Sequence, residues 1–186
     1  GFQVIFPRGV RVQIDRGQKR CLLALHAVAL FANNVGVAPG QAPLPVVVMV
    51  HGSSIAALPS WDLNVPGAGE YSMMNVFARF GYDVWAIDFE GYGKSDVTSG
   101  NSDTKSGVAD LVAAIPTIEK ETGQSKFMFM GESSGALRVA AFAAAHPERM
   151  DRALLGAYTY TGKDSPTLTE RAKNVEFYRT HNRRPR

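Results

Sequence analysis

The sequence predicts an α/β domain with a mostly parallel sheet that is flanked by helices. Residues 46–50, "VVVMV", form an almost unbroken β-branched run, which is typical of a strand buried on both faces of a parallel sheet. From Val46 onward, strand-like and helix-like segments alternate, as they do in right-handed crossovers. The chain has 186 residues, 45% of them apolar, which is enough for one domain with a sizeable core.

The segments before Val46 predict strands that lead into this sheet. "FQVIF" and "VRVQI" indicate two short strands, joined by a Pro-Arg-Gly turn. "KRCLLALHAVALF" predicts another strand or a pair of strand pieces. Its apolar part also has some likeness to the core of a signal peptide, but its position after strand-like segments favours a buried strand. "NNVGVAPGQAPLP" is then a connector, rich in Gly, Pro and Asn.

The segments after Val50 predict the remaining helices and strands. A long polar loop follows "HGSS", and Ser72 is the expected N-cap of a helix "MMNVFARF" that ends at Gly81. The next strand is "YDVWAID" at 82–88, followed by a turn "EGYGKSD". Then come a helix at 102–122, a strand "KFMFM", a helix "SGALRVAAFAAAH" and a strand "RALLGAYTY". Pro116 should kink the helix at 102–122 or divide it. The apolar positions expected to face the core there are Val108, Leu111, Val112, Ile115 and Ile118.

Composition excludes several classes of protein. The net charge of +3 is too mild and too dispersed to indicate a nucleic-acid partner, and no apolar run is long enough to span a membrane. Cys21 is the only cysteine, so no internal disulfide can form and the compartment is not fixed. The chain starts at Gly1, so a leader that has been removed, and with it export, is an alternative to a cytoplasmic location. The basic segment "RTHNRRPR" has two interpretations. It is either a patch that binds phosphate or a membrane surface, or a solvated and protease-sensitive segment, which we favour.

The stretch Gly131-Glu132-Ser133-Ser134-Gly135 fits the pattern G-x-S-x-G. A predicted strand ends just before it and a predicted helix begins just after it, which is the setting of a nucleophile elbow. Such a turn strains the backbone of the serine, and side chains at the two glycines would clash. The competing interpretation is a glycine-rich turn with an incidental serine.

Three stretches, in this order, resemble the α/β-hydrolase superfamily and specifically its serine esterase and lipase-like members. They are "VVVMVHGSS", "YDVWAIDFEGYGKSD" and "FMGESSGA", and the resemblance covers about residues 46–160. It implies an α/β-hydrolase fold that is incomplete in this chain. Residues 1–162 would be the N-terminal part of the core domain, and 163–186 would start a cap insertion. Ser165 and Pro166 are expected to open a helix there.

The resemblance also implies roles for individual residues. Ser133 would be the nucleophile, and the backbone N–H groups of Ser134 and Ser53 would form the oxyanion hole, with Ser54 as the alternative to Ser53. His51 would orient the oxyanion loop, since it follows the wrong strand to be the catalytic base. No metal or organic cofactor is implied.

The turn "EGYGKSD" has two interpretations. In the first, Asp88 and Ser95 hold the turn together by hydrogen bonds. In the second it is a phosphate-binding loop, a pattern that Gly93, Lys94 and Ser95 fit. The first glycine of that pattern falls on Asp88, however, and no helix is predicted directly after the turn, so we favour the first interpretation.

The triad partners of Ser133 are not evident in the sequence. In this fold the acid and then the histidine follow the serine, and only His146 and His181 do so here. His146 ends the helix that leaves the elbow, far from the serine, and His181 could serve only if its segment folded back over the elbow. Asp164 is the best acid available. We therefore expect a second chain or fragment to carry the catalytic acid and histidine, and to cover an exposed edge of the sheet.

The function predicted from these residues is a serine hydrolase that cleaves a carboxylic ester, thioester or lactone through an acyl-enzyme. Alternatives are a non-catalytic binding protein of the same fold, a related acyltransferase or a carbon–carbon bond hydrolase. Serine at the elbow argues against epoxide hydrolase or haloalkane dehalogenase chemistry, which the fold runs with aspartate. The loop "SSIAALPSW" could border the site. Four apolar residues could line an entrance or pack on the sheet: Trp61, Leu63, Met73 and Met74.

Overall fold

The computed structural model describes residues 3–5, 11–15, 19–23, 28–34, 40, 42–159 and 161–181, the first three ranges as backbone only. These residues contain an eight-stranded sheet and a two-stranded ribbon. The strands are β1 Gln3–Ile5, β2 Arg11–Asp15, β3 Lys19–Leu23, β4 Ala29–Asn33, β5 Val46–Val50, β6 Asp62–Leu63, β7 Tyr71–Ser72, β8 Asp83–Asp88, β9 Phe127–Glu132 and β10 Met150–Gly156. The helices are α1 Ala57–Trp61, α2 Met73–Arg79, α3 Thr104–Thr122, α4 Ser134–Ala145, α5 Pro166–Ala172 and α6 Val175–Thr180.

The large sheet has the order β1-β2-β3-β4-β8-β5-β9-β10. The strands β8, β5, β9 and β10 run parallel, whereas β1 to β4 form an antiparallel extension that pairs with β8. The mostly parallel sheet predicted from the sequence is therefore confirmed. The segment "KRCLLALHAVALF" forms a pair of strands, β3 and β4, and its residues 24–27 lie outside the described part of the chain.

The core lies on both faces of the sheet. On β5, Val46, Val48 and Val50 pack on the side of α3 and α4. Val47 and Met49 pack on the side of α1 and α2. All five residues of β5 are buried, as the β-branched run predicts. Because β5 is central, its carboxyl end lies next to the carboxyl ends of β8 and β9.

The predicted helix ends are confirmed where the sequence has a capping residue. The side chain of Ser72 accepts from the N–H of Asn75 at the start of α2, and Gly81 follows the helix with a φ of +87°. Ser165 caps α5, and Pro166 is its first residue.

Helix α3 differs from prediction at Pro116 and Val112. The helix runs unbroken through Pro116, so of the two expected outcomes, a kink or a division, the division is wrong. Val112 was expected to face the core but is exposed. Pro116 is exposed, and the carbonyl group of Val112 that loses its hydrogen bond can be solvated, because Val112 is itself 41% exposed. The other apolar positions listed for this helix are buried or half-buried, as expected.

The strand β10 forms one edge of the large sheet and begins and ends earlier than the sequence suggests. Leu154 on this strand is 55% exposed, in agreement with the expected apolar edge. Helices α5 and α6 follow it, and their assignment to a cap stays a prediction. Of the basic segment 179–186, residues 182–186 lie outside the described part. Within the described residues, no helix has both the length and the apolar character needed to cross a bilayer.

Candidate active site

The turn between β9 and α4 holds Ser133 in a strained backbone conformation, with φ 54° and ψ −121°. A Cβ atom at Gly131 would lie 2.8 Å from backbone atoms of the first turn of α4. One at Gly135 would lie 2.5 Å from two carbonyl oxygens at the end of β5. Neither position can hold a side chain, which is the physical reason for the two glycines of the sequence pattern.

The side chain of Ser133 lies against the loop that follows β5. The N–H of Ser133 donates to the carbonyl oxygen of Gly156 at 2.9 Å, which fixes the turn to β10. A Cβ atom at Gly52 would come within 3.1 Å of the Ser133 Cβ and 3.7 Å of its Oγ. Within the described residues, the half-buried Ser133 hydroxyl has no hydrogen-bond partner. Ser133 therefore combines backbone strain with an uncommitted hydroxyl.

Ser53, Ser54 and Ser134 line one cavity of about 1080 Å³. Ser53 is half-buried, and Ser54 is exposed with a φ of +93°. Ser134 is the first residue of α4, so its N–H lies at the positive end of that helix. The structure thus brings these three predicted residues together beside Ser133, and Ser53 and Ser54 both remain candidates for the second oxyanion donor.

His51 is buried and joins the loop after β5 to the end of β8. The N–H of Phe89 donates to its Nε2 at 3.3 Å, so Nδ1 carries the proton and donates to the carbonyl oxygen of Gly52 at 2.6 Å. The pKa of His51 is lowered from 6.5 to about 4, mainly by burial. The hydrogen bond to Gly52 opposes this shift, and the charge of Arg138 contributes to it. A neutral ring with both nitrogens engaged orients the loop, as predicted, and has no free nitrogen to act as a base.

The turn after β8 is held together by Asp88 and Ser95, as predicted. The carboxylate of Asp88 accepts from the N–H groups of Ala57 at 2.7 Å and Lys94 at 2.9 Å. The Ser95 hydroxyl donates to the Asp88 carbonyl oxygen at 2.5 Å. Burial raises the pKa of Asp88, while the two N–H groups oppose this shift. The next helix begins only at Thr104, so the turn lacks the helix that a phosphate-binding loop requires.

The histidines and the acid that follow Ser133 are not seen in contact with it. His146 follows α4, where its ring packs on Phe142 and its Nδ1 lies 3.5 Å from a carboxylate oxygen of Glu148. His181 follows α6 and lines the same cavity as Ser134, so its segment does turn toward the elbow. Its ring stacks on Phe177, and its Nδ1 lies near Phe177 and Thr180 of its own helix. Asp164 is exposed in the turn before α5.

Arg138 is a candidate site residue that the sequence motifs do not include. It is the only charged residue of α4, which is the signal that could have identified it, and it is 3% exposed in the wall of the cavity. The expected bordering role of the loop 53–61 is met by Ser53 to Ala56, which line the cavity. Of the proposed entrance residues, Trp61 and Met74 are buried in the core and Met73 packs against it, while Leu63 is 42% exposed. The described residues contain no cluster of His, Cys, Asp and Glu that could hold a metal ion.

Comparisons with known proteins agree with this fold. A sequence model of the family described as serine aminopeptidase, S33 (Hydrolase_4) matches residues 67–178. No curated protein matches the sequence significantly. Solved structures with a similar fold include a lipase-like protein from Sulfolobus solfataricus, with a TM-score of 0.62 and 16% identity over 84% of this chain and 52% of that one.

Two further solved structures share the fold. The thioesterase domain from the curacin biosynthetic pathway has a TM-score of 0.54 and 18% identity over 96% of this chain and 55% of that one. The epoxide hydrolase VrEH1 from Vigna radiata has a TM-score of 0.56 and 17% identity over 76% of this chain and 39% of that one. The chain therefore spans between 39% and 55% of the length of these three structures.

Proposed function

The chain belongs to the serine aminopeptidase S33 family of the α/β-hydrolase superfamily, and on this premise we propose that it is part of a serine hydrolase. The observation that carries the proposal is the strained turn at Ser133, whose hydroxyl lies against the loop after β5. A strained backbone at a strand-to-helix turn is costly and is retained where it serves function.

In the proposed reaction, the Oγ of Ser133 attacks the carbonyl carbon of an ester, thioester or lactone. The N–H of Ser134 and that of Ser53 or Ser54 stabilise the oxyanion. The leaving group departs, and water then hydrolyses the acyl-enzyme to release the acid and restore the serine. The family description names a peptidase, and the proteins of similar fold include a thioesterase domain and a lipase-like protein. All three names imply an acyl carbonyl, which agrees with this assignment.

Epoxide hydrolase chemistry receives less support, although VrEH1 has a similar fold. Epoxide opening in this superfamily uses an aspartate nucleophile, and the elbow here carries Ser133. Acyl transfer and carbon–carbon bond cleavage use the same serine and remain variants of the proposal. A binding protein without activity would have no need of the strained serine.

The hydrolysis of a short-chain aryl ester tests this proposal. Wild-type protein should hydrolyse 4-nitrophenyl acetate, and Ser133→Ala should lower the rate by roughly a thousandfold or more. Ser125→Ala is the matched control, because Ser125 is exposed at the opposite end of β9. Equal rates for wild type and Ser133→Ala would refute the assignment of the nucleophile. No activity in a sample that also contains the chain with the histidine and acid would favour the non-catalytic alternative.

We further propose that the histidine and acid which activate Ser133 come from a second chain or fragment. His51 has both ring nitrogens engaged, His146 faces Glu148, and His181 contacts its own helix. Ester hydrolysis should then occur only in samples whose mass spectrum contains a second polypeptide. Activity of residues 1–186 alone, lost in His181→Asn, would instead assign the base to this chain.

A further inference from the structure

Arg138 is a buried cation whose hydrogen-bonding capacity is largely unused. Its Nη2 donates to the carbonyl and hydroxyl oxygens of Ser102. Its Nε and Nη1 are buried without a hydrogen-bond partner among the described residues, and none of the ion pairs there involves it. Three nearby groups attract the guanidinium, Tyr92, Asp110 and Asp103. Buried donors without a direct partner are nevertheless costly, so the unused Nε and Nη1 require an explanation.

The surroundings of Arg138 are shaped to hold its guanidinium in place. The ring of Phe89 lies 4.3 Å from the guanidinium carbon and covers one of its faces. A Cβ atom at Gly107 on α3 would lie 2.4 Å from the Arg138 Cδ, so the glycine provides the space for this side chain. Burial lowers the pKa of Arg138, and nearby Tyr92 and Asp110 oppose this, so the guanidinium keeps its charge.

A second unsatisfied group lies on the same face of α4. The hydroxyl of Ser134 is buried without a hydrogen-bond partner among the described residues, and Ser134 and Arg138 are one helical turn apart. Both line the cavity beside the elbow. The unused groups of Arg138 are donors, and the Ser134 hydroxyl can donate as well as accept, so one acceptor can satisfy both residues. The positive charge of Arg138 favours an anionic acceptor.

The carboxylates in the cavity wall are already engaged. Glu90 accepts from the Thr98 hydroxyl, and Asp103 caps α3 by accepting from the N–H of Ser106. Arg171, on the same cavity, forms no ion pair within the described residues. The cavity therefore presents arginines with unused donors, while its acidic groups serve the local structure.

We propose that Arg138 and the Ser134 hydroxyl bind a carboxylate group of the substrate. Ser133 directly precedes Ser134, so this carboxylate lies close to the scissile carbonyl. The substrate class is then an ester or thioester that carries a carboxylate, such as a monoester of a dicarboxylic acid. The assignment of a substrate rests on the proposed hydrolase function, whereas carboxylate binding by Arg138 does not.

Binding of succinate to the Ser133→Ala variant tests the carboxylate site without catalysis. At constant ionic strength, millimolar succinate should raise the melting temperature, and neutral succinamide should not. Arg138→Met should abolish the effect of succinate, while Arg152→Met should retain it, because Arg152 is a 79% exposed arginine on β10. If Arg138→Met fails to fold, the melting temperatures of Ser133→Ala with succinate and with succinamide decide whether the cavity binds a carboxylate. Equal effects of the two compounds would overturn the proposal.

A pair of ester substrates tests the link to catalysis. Arg138→Met should lower kcat/KM for the 4-nitrophenyl monoester of adipic acid at least tenfold more than for 4-nitrophenyl hexanoate. An equal loss on both esters would mean that Arg138 only supports the structure, and would refute its role in specificity. If wild type hydrolyses neither ester in samples that contain the second polypeptide, the proposed hydrolase function fails, while the succinate experiment still tests carboxylate binding by Arg138 independently.

Discussion

Acidification should destabilise the fold through His51, whose ring links the loop after β5 to the end of β8. Burial lowers its pKa from 6.5 to about 4. The folded chain therefore keeps the ring neutral in a range where the unfolded chain protonates it. The stabilising contribution of this neutral ring is complete above pH 6.5 and is lost as the pH falls toward 4.

The size of the loss follows from the two pKa values of His51. The difference between 6.5 and about 4, at about 1.4 kcal/mol per pH unit, corresponds to about 3 kcal/mol in total. At pH 5 the unfolded ring is almost fully protonated and the folded ring almost fully neutral, so the loss there is about 2 kcal/mol. A typical domain has a free energy of unfolding of about 5–15 kcal/mol, so the effect is measurable.

Urea unfolding of wild type and His51→Gln at pH 7 and pH 5 measures this loss. The glutamine carbonyl can still accept from the N–H of Phe89, but it does not titrate. Burial raises the pKa of Asp88 and Asp110, so the contribution of these two groups to the stability of the fold increases as the pH falls. They are present in both proteins and cancel in the comparison. Wild type should lose about 2 kcal/mol more than the variant. An equal pH dependence of both proteins would refute the neutral, buried state of His51.

Three further changes test the packing of the site and its supports, each by the midpoint of urea or thermal unfolding. Gly135→Ala should cost about 3 kcal/mol or more, because the new Cβ atom would lie 2.5 Å from two carbonyl oxygens. Gly156→Ala is its control, with the nearest atom at 3.7 Å, and a similar loss there would refute the steric argument. Asp88→Ala should cost about 2–5 kcal/mol because it leaves two N–H groups without their acceptor. Ser72→Ala should cost about 1 kcal/mol through loss of the α2 N-cap, and an unchanged midpoint would contradict that role.

Most of the sheet could be predicted from the sequence because its strands carry strong local signals. The run at Val46–Val50 predicts a strand buried on both faces, and Ser72 and Gly81 mark the ends of α2. The elbow at Ser133 was predictable because its glycines exclude side chains. The constraint at Gly131 acts between residues close in sequence, whereas that at Gly135 comes from carbonyl oxygens at the end of β5.

Features that depend on contacts between distant segments could not be predicted in this way. The helix α1 and the ribbon of β6 and β7 lie in a stretch whose sequence resembles a polar loop. The start of α1 is held by a hydrogen bond from the N–H of Ala57 to the carboxylate of Asp88, 31 residues later in the chain. Pro116 was expected to kink or divide α3, but the helix is not divided, because the exposed position of Pro116 makes the missing hydrogen bond tolerable. The place of Arg138 depends on Gly107 and Phe89, which only the folded chain brings next to it.

The central claim, that Ser133 is a catalytic nucleophile, is tested most directly with a fluorophosphonate probe and an intact mass spectrum. The wild-type protein should carry a single adduct, located at Ser133 by peptide mapping and absent in Ser133→Ala. Labelled samples should also contain a second polypeptide that supplies the histidine. The absence of an adduct in samples that contain this polypeptide, or an adduct on a different serine, would contradict the account.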